Sequence, residues 1–288
     1  SAISACEKGR QWHLALALLE AMRQARFAPD GIACNSVLSA CEKCGQWERA
    51  LSLLGEMERC GPEPSTISCN AAISACEKAG RWEWAVELLR DMPRERLVPD
   101  LISYNSACSA CEKGGQWERA LVLLEESART GLRPNTVTLN AVVSTCEKSA
   151  QWQLAFLLLH EAATSGADVD VITCSAAVSA CEKGGPWEQA LALLGMAQSR
   201  GPLPNIVTYN AAISACEKYG RWELALALFE ALRERGLHPD EITYGAVISA
   251  CETGGQAEQA LGVLQSAKAS GRRLDVQVYG AAVGACVL

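Results

Sequence analysis

The sequence has little of what usually identifies a function. Of its 288 residues only 6% are aromatic, three are histidine and 20% are charged. The formal net charge of −7 argues against a nucleic-acid-binding protein, because such proteins normally carry a basic surface. No charge-free stretch reaches the roughly 18 residues that a membrane-spanning helix needs. Composition therefore excludes a membrane span and gives no positive indication of function.

Cysteine is abundant, but its spacing indicates packing and not chemistry. Stacked helices lie about 8–10 Å apart, whereas a disulfide needs Cα atoms within about 7 Å. Cys41 and Cys44 form a C-x-x-C pair, but a structural zinc site needs about four ligands and the histidines are scattered. We therefore expect small buried thiols, a reducing compartment, no metal and no cofactor. Nine of the 15 cysteines recur every 35 residues: Cys6, Cys41, Cys76, Cys111, Cys146, Cys181, Cys216, Cys251 and Cys286.

The 35-residue step defines an internal repeat over the whole chain. Tryptophan keeps the same step from Trp12 to Trp222. Such self-similarity excludes one globular core and is typical of a repeat array. The predicted array, residues 1–288, consists of partial repeats 1–30 and 276–288 around complete repeats 31–65, 66–100, 101–135, 136–170, 171–205, 206–240 and 241–275. Because both end repeats are incomplete, we expect a piece of a longer protein with further domains or protein partners.

Each repeat reads as a helical hairpin. In residues 66–100 an apolar stripe predicts a first helix over 67–78, and a second stripe that starts at Trp82 predicts a helix over 81–92. Gly80 separates the two helices and Pro99 follows the second. Neither helix can bury its stripe alone, so the hairpins must stack into an α-solenoid, with the tryptophans expected in its core.

Several segments resemble the pentatricopeptide repeat. They are V-T-Y-N-A-A-I-S-A-C-E-K (207–218), E-I-T-Y-G-A-V-I-S-A-C (241–251) and the closing sequences G-L-R-P-N (131–135) and G-L-H-P-D (236–240). The tetratricopeptide repeat fits less well, because its 34-residue unit carries tryptophan on the first helix. The resemblance covers essentially the whole chain. It implies an all-α, right-handed superhelix of P-type 35-residue repeats.

Two rows of polar residues recur outside the apolar stripes. The first, the Asn row, consists of Asn35, Asn70, Asn105, Asn140, Ser175, Asn210 and Gly245, all poor helix formers whose presence inside a helix suggests a function. The second, the closing row, consists of Ser65, Asp100, Asn135, Asp170, Asn205, Asp240 and Asp275. Residues of these types are also the preferred helix N-caps, which leaves structural and functional interpretations of the closing row open.

The resemblance implies that the Asn-row residue and the closing-row residue of the same repeat together read one RNA base. Helical-repeat RNA readers use one base per repeat. In repeat order from residue 31 to 275 the seven pairs imply C, U, C or U, U, A, U and G. The expected target is thus 5′-C-U-(C/U)-U-A-U-G-3′ in single-stranded RNA. The resemblance also implies that this binding serves RNA processing, stability or translation in a mitochondrion or plastid.

Two further rows complete the expected interface. The aliphatic row is implied to sandwich the bases, although packing between repeats is the alternative; it consists of Ile32, Ile67, Ile102, Val137, Ile172, Val207 and Ile242. The lysine row is expected to contact phosphates, although a solvated surface is the alternative; it consists of Lys8, Lys43, Lys78, Lys113, Lys148, Lys183 and Lys218. Seven lysines would give a log–log salt slope of at most about −5.

Two other classes of function remain to be weighed. An α-solenoid can serve as a protein-interaction scaffold, but the restricted side chains of the Asn and closing rows favour RNA. An enzyme is not expected, because the H-x-E and P-C-x-x-C motifs of a zinc deaminase are absent from the sequence and no other catalytic motif stands out.

Overall fold

A computed structural model describes residues 2–165, 168–200, 203–270 and 275–287, and helices with short connections make up these segments. The chain forms two compact units, residues 1–145 and 146–288. Helix α9 (Thr136–Lys148) spans the boundary between them. Within the described segments no strand is formed, and no helix is long and apolar enough to cross a membrane. The expected all-α repeat solenoid is confirmed.

First and second helices alternate along both units. The first unit contains α1 (Ala2–Lys8), α2 (Trp12–Gln24), α3 (Gly31–Lys43), α4 (Trp47–Cys60), α5 (Thr66–Lys78), α6 (Trp82–Asp91), α7 (Leu101–Lys113) and α8 (Trp117–Arg129). The second contains α10 (Trp152–Ser165), α11 (Val171–Gly184), α12 (Trp187–Arg200), α13 (Ile206–Lys218), α14 (Trp222–Glu234), α15 (Glu241–Thr253), α16 (Ala257–Ala269) and α17 (Val276–Val287). The helices α5 and α6 lie within one residue of the bounds that periodicity predicts.

The first helices α5, α7, α9, α11, α13 and α15 each begin at a side-chain cap supplied by the closing row. The Asp100 carboxylate accepts a hydrogen bond of 2.9 Å from the backbone N–H of Ser103, and Asp240 does the same for Thr243. Such a cap satisfies a donor that the helix itself leaves unpaired. At the other end Gly80 takes a φ of +68°, the left-handed conformation that commonly ends a helix. The capping interpretation of the closing row is therefore correct for these residues, and it does not preclude a second role.

First helices carry most of the packing between repeats. Within the first unit α3 packs on α5 and α5 on α7, and within the second unit α11 packs on α13 and α13 on α15. Second helices such as α4 and α6 in the first unit and α12 and α14 in the second contact both their own first helix and that of the next repeat. The first helices thus form a continuous layer inside each unit, and residues at equivalent positions lie side by side.

Small buried side chains allow this close approach. Seven of the nine periodic cysteines, from Cys41 to Cys251, have no exposed surface, and Cys6 is half-buried. The side chain of Cys286 lies outside the described residues. Burial raises the pKa of the Cys41 and Cys181 thiols to about 11, which keeps them protonated and unreactive. The expected packing role of the periodic cysteines is confirmed.

The tryptophans do not occupy the core as expected. Each of the seven periodic tryptophans from Trp12 to Trp222 is half-buried at the start of a second helix, whereas Trp84 is exposed. The Trp82 ring lies against Gly114 and the Trp222 ring against Gly254, in the interhelical turn of the following repeat. The buried core consists mainly of small and aliphatic side chains, with a few other aromatic residues such as Tyr209 and Phe229, and the indoles remain at the seam between repeats.

Candidate nucleic-acid interface

Members of the Asn row and the closing row meet directly in three repeats. The Nδ2 of Asn70 donates a 3.0 Å hydrogen bond to Oδ1 of Asp100. The Nδ2 of Asn210 donates to both carboxylate oxygens of Asp240, at 3.0 and 3.3 Å. The Ser175 hydroxyl lies 3.4 Å from Oδ1 of Asn205. Asn70, Asn210 and Ser175 are buried, so each pair forms an ordered polar unit at the start of the next first helix.

Two other pairs are linked only through a third side chain. The Ser68 hydroxyl donates to Oδ1 of Asn35 at 2.7 Å and lies 3.0 Å from the Ser65 hydroxyl. Thr138 makes the corresponding contacts with Asn105 and, at 3.0 Å, with Asn135. No direct bond joins Asn35 to Ser65 or Asn105 to Asn135 among the described residues. The pairing is thus direct in some repeats and hydroxyl-mediated in others.

The last two expected pairs are different. Asn140 lies in the first unit and Asp170 in the second, so this pair stays a prediction. Gly245 has no side chain to meet Asp275, which is exposed and accepts a 2.6 Å bond from the backbone N–H of Val276. The seventh repeat therefore offers one polar group where the others offer two.

Sequence reasoning missed a row of hydroxyls that joins these pairs. We call it the hydroxyl row: Ser68, Ser103, Thr138, Thr173, Thr208 and Thr243, which are completely buried at the third position of each first helix. The Ser103 hydroxyl lies 2.6 Å from Oδ1 of Asn70, and the Thr243 hydroxyl 2.7 Å from Oδ1 of Asn210. The row keeps the 35-residue period, which was the available signal, but serine and threonine near a helix start suggest capping alone.

The two aspartates that pair directly with asparagine are held in the charged form. Burial by itself would raise the pKa of Asp100. Hydrogen bonds from the Ser103 N–H, the Asn70 amide and the Ser103 hydroxyl outweigh this effect and leave the pKa below its ordinary value. The same balance lowers the pKa of Asp240, where Thr243 and Asn210 are the donors. Both carboxylates are therefore acceptors near neutral pH.

The aliphatic row points to solvent. The seven side chains are between 52 and 74% exposed, with Ile32 the most exposed, although isoleucine and valine are normally buried. A side chain that packed neighbouring repeats together would be covered, so the packing alternative does not explain this row. Each exposed aliphatic group lies three positions before the Asn-row residue on the same helix, and it therefore flanks the polar pair.

Five members of the lysine row are paired with glutamates of the preceding repeat. Lys113 Nζ lies 2.9 Å from Glu77 Oε1, and Lys43 makes the same contact with Glu7. Lys78, Lys183 and Lys218 are paired in the same way at 2.7 to 3.0 Å, and Lys148 also has an interaction partner. The five lysines of these ion pairs remain 34 to 48% exposed. The expected positive track is thus a ladder of charge pairs, in which each lysine still reaches solvent.

Other chemistry finds little support in the described residues. They contain no cluster of three histidine, cysteine or acidic side chains that could hold a metal. Cys108 and Cys111 form a second C-x-x-C pair, but both are fully buried inside α7. Burial raises the pKa of Cys111 to about 11, which makes it a poor nucleophile. The polar pairs and the rows beside them therefore remain the main candidate site.

Comparison with known families gives several matches along the chain. A sequence profile described as PPR repeat family matches residues 64–113 and 204–253, and one described as PPR repeat matches 32–62 and 242–272. A third, described as pentatricopeptide repeat domain, matches 157–218. No protein of curated function matches the sequence at a significant level.

Solved structures of similar fold are also repeat proteins. The crystal structure of the pentatricopeptide repeat protein PPR10 from maize has a TM-score of 0.74 and 25% identity, over 98% of this chain and 40% of that one. PPR10 in complex with an 18-nt psaJ RNA element has a TM-score of 0.61 and 22% identity, over 99% and 51%. The PPR domain of Arabidopsis thaliana protein-only RNase P 1 in complex with tRNA has a TM-score of 0.56 and 16% identity, over 63% and 95%. The present chain thus spans about half or less of the length of PPR10 in those structures.

Proposed function

Because this chain belongs to the pentatricopeptide repeat family, we propose that it binds single-stranded RNA with sequence selectivity, one base per repeat. The observation that carries the proposal is the recurrence of a buried polar pair flanked by an exposed aliphatic side chain. Base recognition needs hydrogen-bonding groups at the base edge and apolar contacts on its faces. The proposal extends to organellar RNA processing, stability or translation, in a mitochondrion or plastid, without a catalytic role for this chain.

The aspartate repeats favour a base that donates from its ring nitrogen. Oδ1 of Asp100 already accepts from Ser103 and Asn70, whereas Oδ2 makes no hydrogen bond within the described part of the chain. An ionised carboxylate only accepts, so it suits N3–H of uracil or N1–H of guanine. Cytosine and adenine present an unprotonated nitrogen there. These contacts support U or G over C and A for the pairs Asn70–Asp100 and Asn210–Asp240, and the family resemblance implies U.

The asparagine and serine repeats favour the opposite pattern. Oδ1 of Asn205 accepts from the N–H and hydroxyl of Thr208, so its Nδ2 is turned outwards as a donor. Asn135 is held in the same way by Thr138. A donor at this place suits N1 of adenine or N3 of cytosine. These contacts support A for Ser175–Asn205, where the small serine leaves room for a purine, and C over U for Asn105–Asn135.

Phosphate contacts come from the lysine row in this proposal. The exposed ammonium of Lys113 donates one hydrogen bond to Glu77 and has further donors free for an anion. Because five of the seven lysines are paired with glutamates, the ladder contributes little net charge. We propose that base contacts therefore supply a larger share of the affinity than in a basic RNA-binding protein.

Fluorescence anisotropy with labelled 5′-CUCUAUG-3′ RNA, flanked by adenosines, tests the proposal. We expect tighter binding to this RNA than to a scrambled RNA of the same composition, to the same sequence as DNA, and to its duplex. Equal affinity for target and scrambled RNA would refute sequence selectivity. Absence of RNA binding, together with RNase-resistant capture of protein partners, would favour the alternative of a protein-interaction scaffold.

A further inference from the structure

The hydroxyl row allows a precise count of hydrogens at each polar pair. The Ser103 hydroxyl accepts a 3.1 Å bond from the backbone N–H of Asp100, so its single proton is directed elsewhere. It lies 2.6 Å from Oδ1 of Asn70 and 3.0 Å from Oδ1 of Asp100. Both of these atoms only accept hydrogen bonds, and the shorter contact is the one to asparagine. The Asn70 carbonyl oxygen is thus held by a donor from the next repeat.

This contact decides which end of the asparagine amide faces its partner. With Oδ1 of Asn70 bound to Ser103, Nδ2 is turned towards the Asp100 carboxylate. Asn210 is fixed in the same way, between the Thr243 hydroxyl at 2.7 Å and the Asp240 carboxylate at 3.0 Å. A reversed amide would place its oxygen against a carboxylate and its nitrogen against a donor. The hydroxyl and the carboxylate therefore select the same orientation.

The chain itself varies the two rows together. Where the Asn row has Gly245, the residue 33 positions later is Val278, which has no hydroxyl. Ala33 is the other position without a hydroxyl, and no residue lies 33 positions before it in the sequence. Each Ser or Thr of the hydroxyl row thus follows an Asn or Ser 33 residues earlier. Capping alone does not require this match, because Asp30 caps α3 through the N–H of Ala33 without any hydroxyl.

We propose that the hydroxyl row sets base selectivity by fixing the amide orientation of the preceding Asn-row residue. Ser68, Ser103, Thr138 and Thr243, whose Asn-row partners are asparagines, are positioning residues that do not themselves touch the base. In these repeats the base would then be read by two side chains, whose arrangement depends on a third from the first helix of the following repeat. The inference rests on the proposed RNA binding and adds a residue to the selectivity of the repeats that carry asparagine in the Asn row.

A loss-of-function series at Thr243 tests the proposal at one base. Thr243→Val keeps the shape and removes the hydroxyl, and Thr243→Ser restores it. We expect Thr243→Val to lose about tenfold of the U-over-C preference at the sixth base, while preferences at the other six bases remain. Thr243→Ser should retain the wild-type preference. Thr145→Val is the matched control, because the Thr145 hydroxyl is also buried but donates to the backbone carbonyl of Ala141.

A gain-of-function pair guards against simple loss of stability. A Cβ at Gly245 would meet Val278 Cγ2 at 3.5 Å, an ordinary contact, so the site accepts a side chain. We expect Gly245→Asn combined with Val278→Thr to create a preference at the seventh base that Gly245→Asn alone lacks. Equal preferences in Thr243→Val and Thr243→Ser would overturn the proposal while leaving RNA recognition intact. A wild-type protein without preference at the sixth base would overturn both.

Discussion

The paired lysine row makes a quantitative prediction about salt. A lysine that neutralises a phosphate of single-stranded RNA normally releases about 0.7 cation, which gives its share of the salt slope. Here Lys113 must leave Glu77, whose carboxylate is then free to take up a cation from solution. Release and uptake nearly cancel at each paired lysine. A row with five of its seven lysines in such pairs should therefore give a slope well short of the value of about −5 for seven free lysines.

Glu77→Gln removes one carboxylate from the ladder and leaves Lys113 unpaired. We expect the log–log slope of affinity against salt to become steeper by about 0.7, so that affinity falls roughly 2.5-fold more between about 50 and 200 mM salt. Glu118→Gln is the matched control, because it removes the same charge from an exposed position on α8. Lys113→Ala should change the wild-type slope little and should flatten the slope of Glu77→Gln by about 0.7. Equal slopes for the two glutamine variants would refute the reasoning.

Three further predictions concern stability and reactivity. Gly114→Ala should lower the free energy of unfolding, measured by urea denaturation, by about 1–3 kcal/mol, because its Cβ would overlap Cδ1 of Trp82 and lie 2.8 Å from Cγ. The matched variant Gly55→Ala, with open space around the new Cβ, should instead stabilise the protein by about 0.5–1 kcal/mol. Thr253→Lys should add one more ion pair to the ladder, with Glu217, whose pKa is raised by burial. A double-mutant cycle with Glu217→Gln should then give a coupling free energy of about 0.2–1 kcal/mol at pH 7. This coupling should disappear as the pH falls through the raised pKa, because Glu217 is then protonated. Peptide mapping after alkylation of the native protein at pH 8 should find half-buried Cys44 modified long before Cys41 and Cys76, whose pKa values burial raises to about 11 and 12.

The sequence predicts features that depend on position along a helix. A strict 35-residue period and the apolar stripes of residues 66–100 are enough to predict both helices of the repeat and the burial of Cys76. The exposure of Ile67 also follows, because it lies outside the stripe. In these cases helical geometry alone determines which side of the helix a residue occupies.

What the sequence does not predict depends on how neighbouring helices meet. Each lysine follows a glutamate directly, which suggests a local pair, yet Lys113 bonds to Glu77, 36 residues away. The role of Ser103 is hidden for the same reason, since its partner Asn70 lies in the preceding repeat. The half-burial of Trp82 results from its contact with the turn at Gly114. Such contacts require the distance and register between stacked helices, which the period alone leaves open.

The most direct test of one-base-per-repeat recognition is selection from a randomised RNA library by the wild-type protein and by Asn205→Asp. Aspartate caps first helices elsewhere in this chain, as Asp100 does for α7, so the substitution preserves the fold. It replaces the outward amide donor with an acceptor, which suits N1–H of guanine. We predict that the preference at the fifth base changes from A to G while the preferences at the other six bases persist. An unchanged fifth base, or a change spread over the whole site, would contradict the account.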